Sequence, residues 1–445
     1  MPYSELHRPQ VHFSPRENWT NDPNGLVYYK GEYHLFFQHN PVSVKWGNMT
    51  WGHAVSTDLL HWTQLDHAIE PDELGTIFSG SAVVDRNNTG GFKTGDEDVL
   101  VAFYTSAGSH ADPPVPFTQS IAYSNDRGRN WSKFAGNPVI EHVRSDNRDP
   151  KVIWHEPTSR WVLALYLDQN DYSLYASENL VDWTHLQDLT LPGVTECPDF
   201  FELPVDGDAS NSRWVYWGAD GGYLLGTFDG ERFEPDGEVL KAEFAKNGYA
   251  AQTYSDIPDE DGRRIQISWM RGGKYPAMPF NQQMSIPVGL RLRTTSDGIR
   301  LQRNPIREIE TLCDGTESFR NIDIAKDTPF IPDTRHDCFD IHLELEIENE
   351  DRCGITIQGH KLEYSPVQQE LKCFGRVGPV RPVDKRIPLR LIVDRTSIEV
   401  FAEDGAVVFS CCYLPEACDH PIEVYSEGTT LIASLVIHEL RSIWR

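Results

Sequence analysis

Ser56-Thr57-Asp58-Leu59-Leu60-His61-Trp62, Ser124-Asn125-Asp126-Arg127-Gly128-Arg129-Asn130-Trp131 and Ser177-Glu178-Asn179-Leu180-Val181-Asp182-Trp183 share one pattern: an apolar strand ending in Ser, a polar turn, then Trp. Thr227-Phe228-Asp229-Gly230-Glu231-Arg232-Phe233 is a weaker fourth copy. One such hairpin means little, because Ser-polar-Trp turns arise by chance in an aromatic-rich β protein. Regular spacing means more. The copies recur at intervals of roughly 50 to 70 residues, the size of a four-stranded propeller blade with its loop insertions. Four copies predict at least four blades, and a ring of blades gathers residues from distant parts of the sequence around one axis.

Composition agrees with an all-β class. Among 445 residues there are 12 Trp, 17 Tyr and 20 Phe, punctuated by 29 Pro and 33 Gly, which suits many short strands better than long helices. The length leaves room for a scaffold and an accessory module. A formal net charge of −27 argues against nucleic acid and anionic membrane surfaces as partners, since both are repelled by such a field. Neutral substrates stay open. No stretch approaches the roughly 20 apolar residues that span a bilayer. The opening Met1-Pro2-Tyr3-Ser4-Glu5-Leu6-His7-Arg8 lacks an apolar leader core, so the chain either stays inside the cell or has lost a secretory or periplasmic signal. Seven of the eight cysteines lie in the last third, without CxxC pairs or zinc-type spacing. Disulfides there are open; a metal site is not expected.

The repeat fades near Asn304-Pro305-Ile306-Arg307-Glu308-Ile309-Glu310-Thr311-Leu312, a short helix-like or extended connector. Strand patterns return in Cys338 to Ile347, Leu389 to Asp394 and Ser397 to Phe401. Alternation without helical periodicity over about 130 positions reads as a two-sheet sandwich. The expected organisation is residues 1–303 as the propeller, 304–315 as linker and 316–445 as the sandwich.

Three short acidic signatures stand out: Trp19-Thr20-Asn21-Asp22-Pro23-Asn24-Gly25, Arg148-Asp149-Pro150 and Glu196-Cys197-Pro198-Asp199. Alone, each has a plain structural reading. Asp22-Pro23-Asn24-Gly25 is strong turn chemistry, Arg148-Asp149-Pro150 is an ion pair before a strand, and Glu196 is a single acid. Together they sit before or at the start of strands in successive units, so a propeller would bring them to one axial mouth. Glycosidic bonds are cut by two opposed carboxyl groups, one attacking and one donating a proton, with polar groups gripping the sugar.

These signatures, with Phe36-Phe37-Gln38-His39-Asn40-Pro41, Trp46-Gly47, Trp51-Gly52-His53-Ala54, Phe78-Ser79-Gly80-Ser81 and Asp394-Arg395-Thr396-Ser397-Ile398-Glu399-Val400-Phe401, resemble glycoside hydrolase family 32, the group of invertases, inulinases and levanases. The resemblance covers nearly the whole chain. It implies a five-bladed β-propeller followed by a C-terminal β-sandwich, with Asp22 as nucleophile, Glu196 as general acid/base and Asp149 as transition-state stabiliser. In a retaining mechanism the attacking and proton-donating carboxyls stand about 5 Å apart. Asp22 must then be ionised and Glu196 initially protonated, with a mildly acidic optimum; Arg148 beside Asp149 is expected to keep that carboxylate charged.

Asn21, Gln38, Ser79 and Arg148 are the expected polar contacts to the sugar, and Trp46 and Phe78 its apolar walls. Trp51 and Trp269, which composition alone would place in the core, move to the pocket rim on the resemblance. Cys197 reads as a small buried neighbour of Glu196. Two departures from the family pattern imply an altered subsite: Thr20 where an apolar residue is common, and His39 where Tyr is frequent. The implied activity is a retaining β-fructofuranosidase releasing terminal fructose from levan, inulin and sucrose, without cofactor, as a monomer or homodimer. The rivals are a sucrose-restricted invertase, an endo-levanase, a propeller hydrolase acting on arabinans or xylans, and a non-catalytic fructan-binding protein. The last predicts a missing carboxylate, and all three are present.

Overall fold

The computed structural model describes residues 3–347 and 349–444. It is nearly all strand, with only four short 3-10 turns among the described residues. Five inner strands, Asn18–Tyr29, Thr76–Asp85, Arg148–His155, Asp199–Val205 and Gly248–Thr253, lie each against the next, and the last returns to the first. Each opens an antiparallel meander that runs outward from the axis. The fourth and fifth meanders are joined through one parallel bridge, Val205 to Leu292. The ring is closed by Asn18 and Trp19 pairing in parallel with Phe280 and Asn281, and by a bridge from Val27 to Ser255.

Burial falls from inside to outside. Val99–Ala107, second in its meander, is buried at every position, whereas the outer strand Thr184–Thr190 is mostly exposed. Apolar clusters fill the spaces between neighbouring meanders. One joins Val83, Val101 and Phe103 to Val152, Trp161 and Leu163; the next joins Val162 and Leu174 to Phe200, Trp214 and Phe228. Sheets with apolar side chains on both faces need such long buried runs, and Trp and Phe supply the volume.

The Ser-polar-Trp phrase marks one fixed place, the link between the third and fourth strands of a meander. Its Asx side chain forms the turn. Asp58 Oδ1 accepts from the amides of Leu60 and His61, Asp126 Oδ1 from Arg129 and Asn130, Asn179 Oδ1 from Val181 and Asp182, and Asp229 Oδ1 from Glu231 and Arg232. The residue after each Asx is left-handed: Leu59, Arg127, Leu180 and Gly230 have φ of 66°, 60°, 65° and 97°. An Asx turn satisfies the amides that such a reversal exposes.

After the strand Gly298–Pro305 and the 3-10 turn Arg307–Leu312, the chain enters a sandwich. Its six-stranded sheet includes Cys313–Ala325, Phe339–Glu346, Arg386–Asp394 and Ser397–Ala402, and a five-stranded sheet faces it across a separate apolar core. The propeller and sandwich also share a core, in which Ile392, Phe401 and Val408 join Val288, Leu290 and Ile309. All eight cysteines are free thiols, so the disulfides left open by the sequence are not formed.

One local expectation fails. Asp22-Pro23-Asn24-Gly25 is no hairpin turn; it lies inside the strand Asn18–Tyr29, where pairing with Glu32–Asn40 slips between Thr20 and Pro23 and again between Asn24 and Val27. Turn-forming residues here bend a strand. Gly25 has φ 54°, and a Cβ on it would stand 2.6 Å from Phe36 and 2.9 Å from Trp51, so only glycine fits the bulge.

Candidate active site

A cleft of about 510 Å³ opens at the end of the ring where the inner strands begin, and Asp22, Asp149 and Glu196 all line it. Each comes from a different meander through an irregular piece of backbone. Asp22 sits in the first slip of its strand. Asp149 and Glu196 have φ of 64° and 54°, and Cys197 has 38°. Left-handed non-glycine residues cost on the order of 1–3 kcal/mol each and persist where surrounding structure enforces them. For Asp149 the enforcement is visible: its amide donates to Thr105 Oγ1 at 3.0 Å. For Glu196, the carbonyl accepts from the Ala219 amide at 3.2 Å and from Tyr172 Oη at 3.3 Å.

Behind the lining lies a buried ion pair. Lys151 Nζ lies 3.2 Å from Asp199 Oδ1 and donates to the Thr253 carbonyl at 2.7 Å. The Thr253 amide donates to Asp199 Oδ2 at 2.5 Å. Lys151 stands two residues after Asp149, and Asp199 three after Glu196, so this pair ties the third, fourth and fifth inner strands together directly beneath the carboxylates.

Around Asp22, Ser79 Oγ donates to Oδ2 at 2.6 Å, and Cys197 Sγ lies 3.8 Å from the same oxygen. Cys197 serves Asp149 more closely: its amide donates to Asp149 Oδ2 at 3.0 Å and its thiol lies 3.4 Å away. Glu196 is held at both oxygens. Arg148 Nη2 donates to Oε1 at 2.5 Å, and Tyr249 Oη donates to Oε2. Arg148 Nε also stands 3.8 Å from Asp149 Oδ2 and its guanidinium lies over the Tyr166 ring.

Electrostatics in the site depart from the sequence reading. Burial pushes Asp149 up to about 7; Arg148 pulls it down, but Asp22 and Glu196 push with the burial. Its neighbouring cation therefore does not keep it fully charged, because a carboxyl that is only 6 % exposed loses more hydration than one guanidinium returns. Burial and the Glu196 charge also raise Asp22, against the Ser79 hydrogen bond. Burial tends to raise Glu196 as well, but Tyr249 and Arg148 outweigh it and hold that carboxyl below its usual range. Burial thus favours the neutral form of the two aspartates, while the cation and phenol around Glu196 favour its anion.

Of the other expected contacts, Asn21, Gln38, Trp46, Phe78, Ser79, Arg148 and Trp269 all line the cleft. Trp46 is 51 % exposed and meets Phe78 edge-on at 6.0 Å, forming an apolar rim. Trp269 is edge-on to Trp19 at 6.2 Å and donates to Gln282 at 3.1 Å. Trp51 is the exception: it is fully buried, donates its indole N–H to the Phe78 carbonyl at 2.9 Å, and packs beneath Gly25. It supports the wall and does not form it. Thr20 and His39 are also buried behind the cleft, bonded to the Gln38 and Trp19 carbonyls, so these two departures do not alter its surface. Sequence reasoning missed Ser109, His110, Phe117, Asp146, Tyr249 and Arg271, which complete the lining. Tyr249 had one usable signal, its place at the entry of the fifth inner strand, equivalent to the places of the acidic signatures.

Residues 12–305 match the glycosyl hydrolases family 32 N-terminal domain, and residues 308–439 the family's C-terminal domain. The chain is 39 % identical to a levanase of Bacillus subtilis (strain 168), covering 99 % of this chain and 72 % of the levanase. It is 34 % identical to a levanase of Bacillus sp. (strain L7), whose length it spans by 53 %. Among solved structures, the exo-inulinase from Aspergillus awamori superposes with TM-score 0.89 at 28 % identity over 100 % of both chains. A β-fructofuranosidase from Schwanniomyces occidentalis, complexed with fructosyl-erythritol, gives 0.87 at 27 % over 99 % of each. Since these matches run through ring and sandwich alike, the chain belongs to glycosyl hydrolases family 32.

Proposed function

We propose that this glycoside hydrolase releases fructose from the non-reducing ends of levan and inulin and also cleaves sucrose, by a retaining double displacement. The observation that carries the reading is the convergence of Asp22, Asp149 and Glu196, from three separate meanders, on one cleft. The relatives named as levanases and exo-inulinase support the substrate class.

Asp22 attacks C2 of the fructosyl unit while Glu196 protonates the departing oxygen, leaving a covalent fructosyl-enzyme. Glu196 then takes a proton from water, which releases fructose. Asp149 accepts hydrogen bonds from the sugar hydroxyls as charge develops in the ring, and Ser79 steadies the attacking oxygen. The sugar must also shift this balance. Its hydroxyls compete for Arg148, and once that cation turns from Glu196 to the sugar, Glu196 regains its affinity for a proton. Trp46, Phe78 and Trp269 supply apolar faces for the furanose and its neighbour.

Time-resolved chromatography on levan, inulin and sucrose tests this reading. Fructose as the first and dominant product from all three supports it. A ladder of oligosaccharides from levan would assign endo action, and turnover of sucrose alone would make the enzyme an invertase.

A further inference from the structure

Glu196 is connected to the β-sandwich by a short, continuous set of contacts. The amide of Cys412, on the sandwich strand Val407–Cys412, donates to Asn247 Oδ1 at 3.0 Å. Asn247 is 3 % exposed, and it clasps Arg271 twice: its Nδ2 donates to the Arg271 carbonyl at 2.6 Å, and the Arg271 amide donates to the Asn247 carbonyl at 2.6 Å. The Arg271 guanidinium lies 3.6 Å from the centroid of the Tyr249 ring. Tyr249 Oη donates to Glu196 Oε2. The same sandwich strand secures the near side, where Ser410 donates through its amide and hydroxyl to Glu243 at 2.9 Å each. A side chain on Gly248 would collide with Glu243 Oε2 at 2.5 Å, so the approach to Tyr249 has no slack.

From these contacts we propose that the sandwich sets the position of Glu196, and that Asn247 is the positioning residue through which it does so, acting on Arg271 and Tyr249. The proposal rests on the reading of Glu196 as the acid/base. Acid/base groups must be held within about 0.5 Å of their productive place; the Ala219 and Tyr172 bonds fix the Glu196 carbonyl, while its carboxyl depends on Arg148 and Tyr249. Arg148 holds one of its oxygens but must turn to the sugar during turnover; Tyr249 is the contact that remains. The charged and titratable groups facing Glu196 are Arg148, Asp149 and Tyr166 from the third meander, Asp22 from the first, Cys197 beside it, and Tyr249 and Arg271 from the fifth. Of these, Asn247 grips Arg271 directly and, through the Arg271 guanidinium, bears on the Tyr249 ring.

The test is Asn247→Ala, assayed on sucrose, whose leaving group needs protonation, and on an aryl β-fructofuranoside with an acidic phenol, whose leaving group does not. Expected are a roughly tenfold lower kcat/KM on sucrose and a near-normal kcat/KM on the aryl substrate, which reports only the first step, in which an acidic phenol needs no proton. The alkaline limb of kcat/KM for sucrose moves to higher pH, because a loosened Tyr249 and Arg271 no longer favour the Glu196 anion. Combined with Tyr249→Phe, the loss is no larger than that of Tyr249→Phe alone. Asn247→Asp keeps the acceptor for Cys412 and loses the donor to Arg271; it carries the same expectation and serves if the alanine variant does not fold. Gln283→Ala, which removes the bonds to Ser397, Thr396 and Tyr275 elsewhere in this interface, is the control and lowers Tm without the substrate split. Equal losses on both substrates that track Tm, or an unmoved pH profile, would overturn the proposal. Retained sucrose turnover in Glu196→Gln would instead refute the acid/base assignment beneath it.

Discussion

The amide of Cys197 donates to Asp149 Oδ2 at 3.0 Å, and the Cys197 thiol lies against that same oxygen at 3.4 Å. Burial and the adjacent carboxylates push this thiol well above its ordinary pKa, so it is a neutral, weak donor shared between Asp149 and Asp22. Cys197→Ser preserves a small donor and is expected to keep most activity, whereas Cys197→Val, which adds volume without a donor, should lower kcat at least tenfold. Steady-state kinetics on sucrose decides this. Iodoacetamide should leave the native wild-type enzyme active, since the thiol is only 6 % exposed.

Asp149 gives the site a measurable pH signature. Its folded-state pKa of about 7 lies above the ordinary value of 3.8, so its contribution to stability is fully present below pH 3.8 and is lost as pH rises to about 7. Asp149→Asn cannot ionise. Its Tm should exceed that of wild type at pH 8 and match it near pH 4, while kcat falls at least a hundredfold.

Beneath the carboxylates, Lys151 and Asp199 stand or fall together. Removing one partner strands a buried charge, so Lys151→Met is expected to cost about 3–5 kcal/mol. Urea denaturation measures it, and Lys151→Met combined with Asp199→Leu should recover part of the loss.

His12 links the N-terminal segment to the sandwich, bonded to Asp394 through Nδ1 and to Glu399 through Nε2, at 2.8 Å each. Burial disfavours its charge, but Asp394 and Glu399 prevail and raise it from 6.5 to about 9. The stability it gives is complete below pH 6.5 and lost as pH climbs through 9. Wild type should therefore weaken between pH 7 and 9.5, and His12→Gln should be less stable at pH 6 with a flatter profile over that range. Denaturation midpoints across pH test the difference.

What could be read from the sequence follows from what each signal encodes. The Ser-Asx-Trp phrase was legible because an Asx turn is a local device, set by residues two or three apart. The sandwich strands were legible because alternation reports a half-buried sheet. Asp22-Pro23-Asn24-Gly25 misled because a bulge and a turn use the same residues, and only the partner strand distinguishes them. Trp51 misled because burial of an indole depends on Gly25 above it. Tyr249 and Arg271 went unassigned because neither carries an acidic signature; their importance comes from Glu196, more than fifty positions earlier, and from Asn247, held by the sandwich.

The central claim is that Asp22 forms a covalent bond to the fructosyl unit. It is tested most directly by mixing the Glu196→Gln variant with an aryl β-fructofuranoside, quenching in acid, and identifying the modified peptide by mass spectrometry. The account predicts a fructosyl adduct on the peptide containing Asp22, absent when Asp22→Ala is added. An adduct on Asp149, or phenol release without any adduct accumulating, would contradict it.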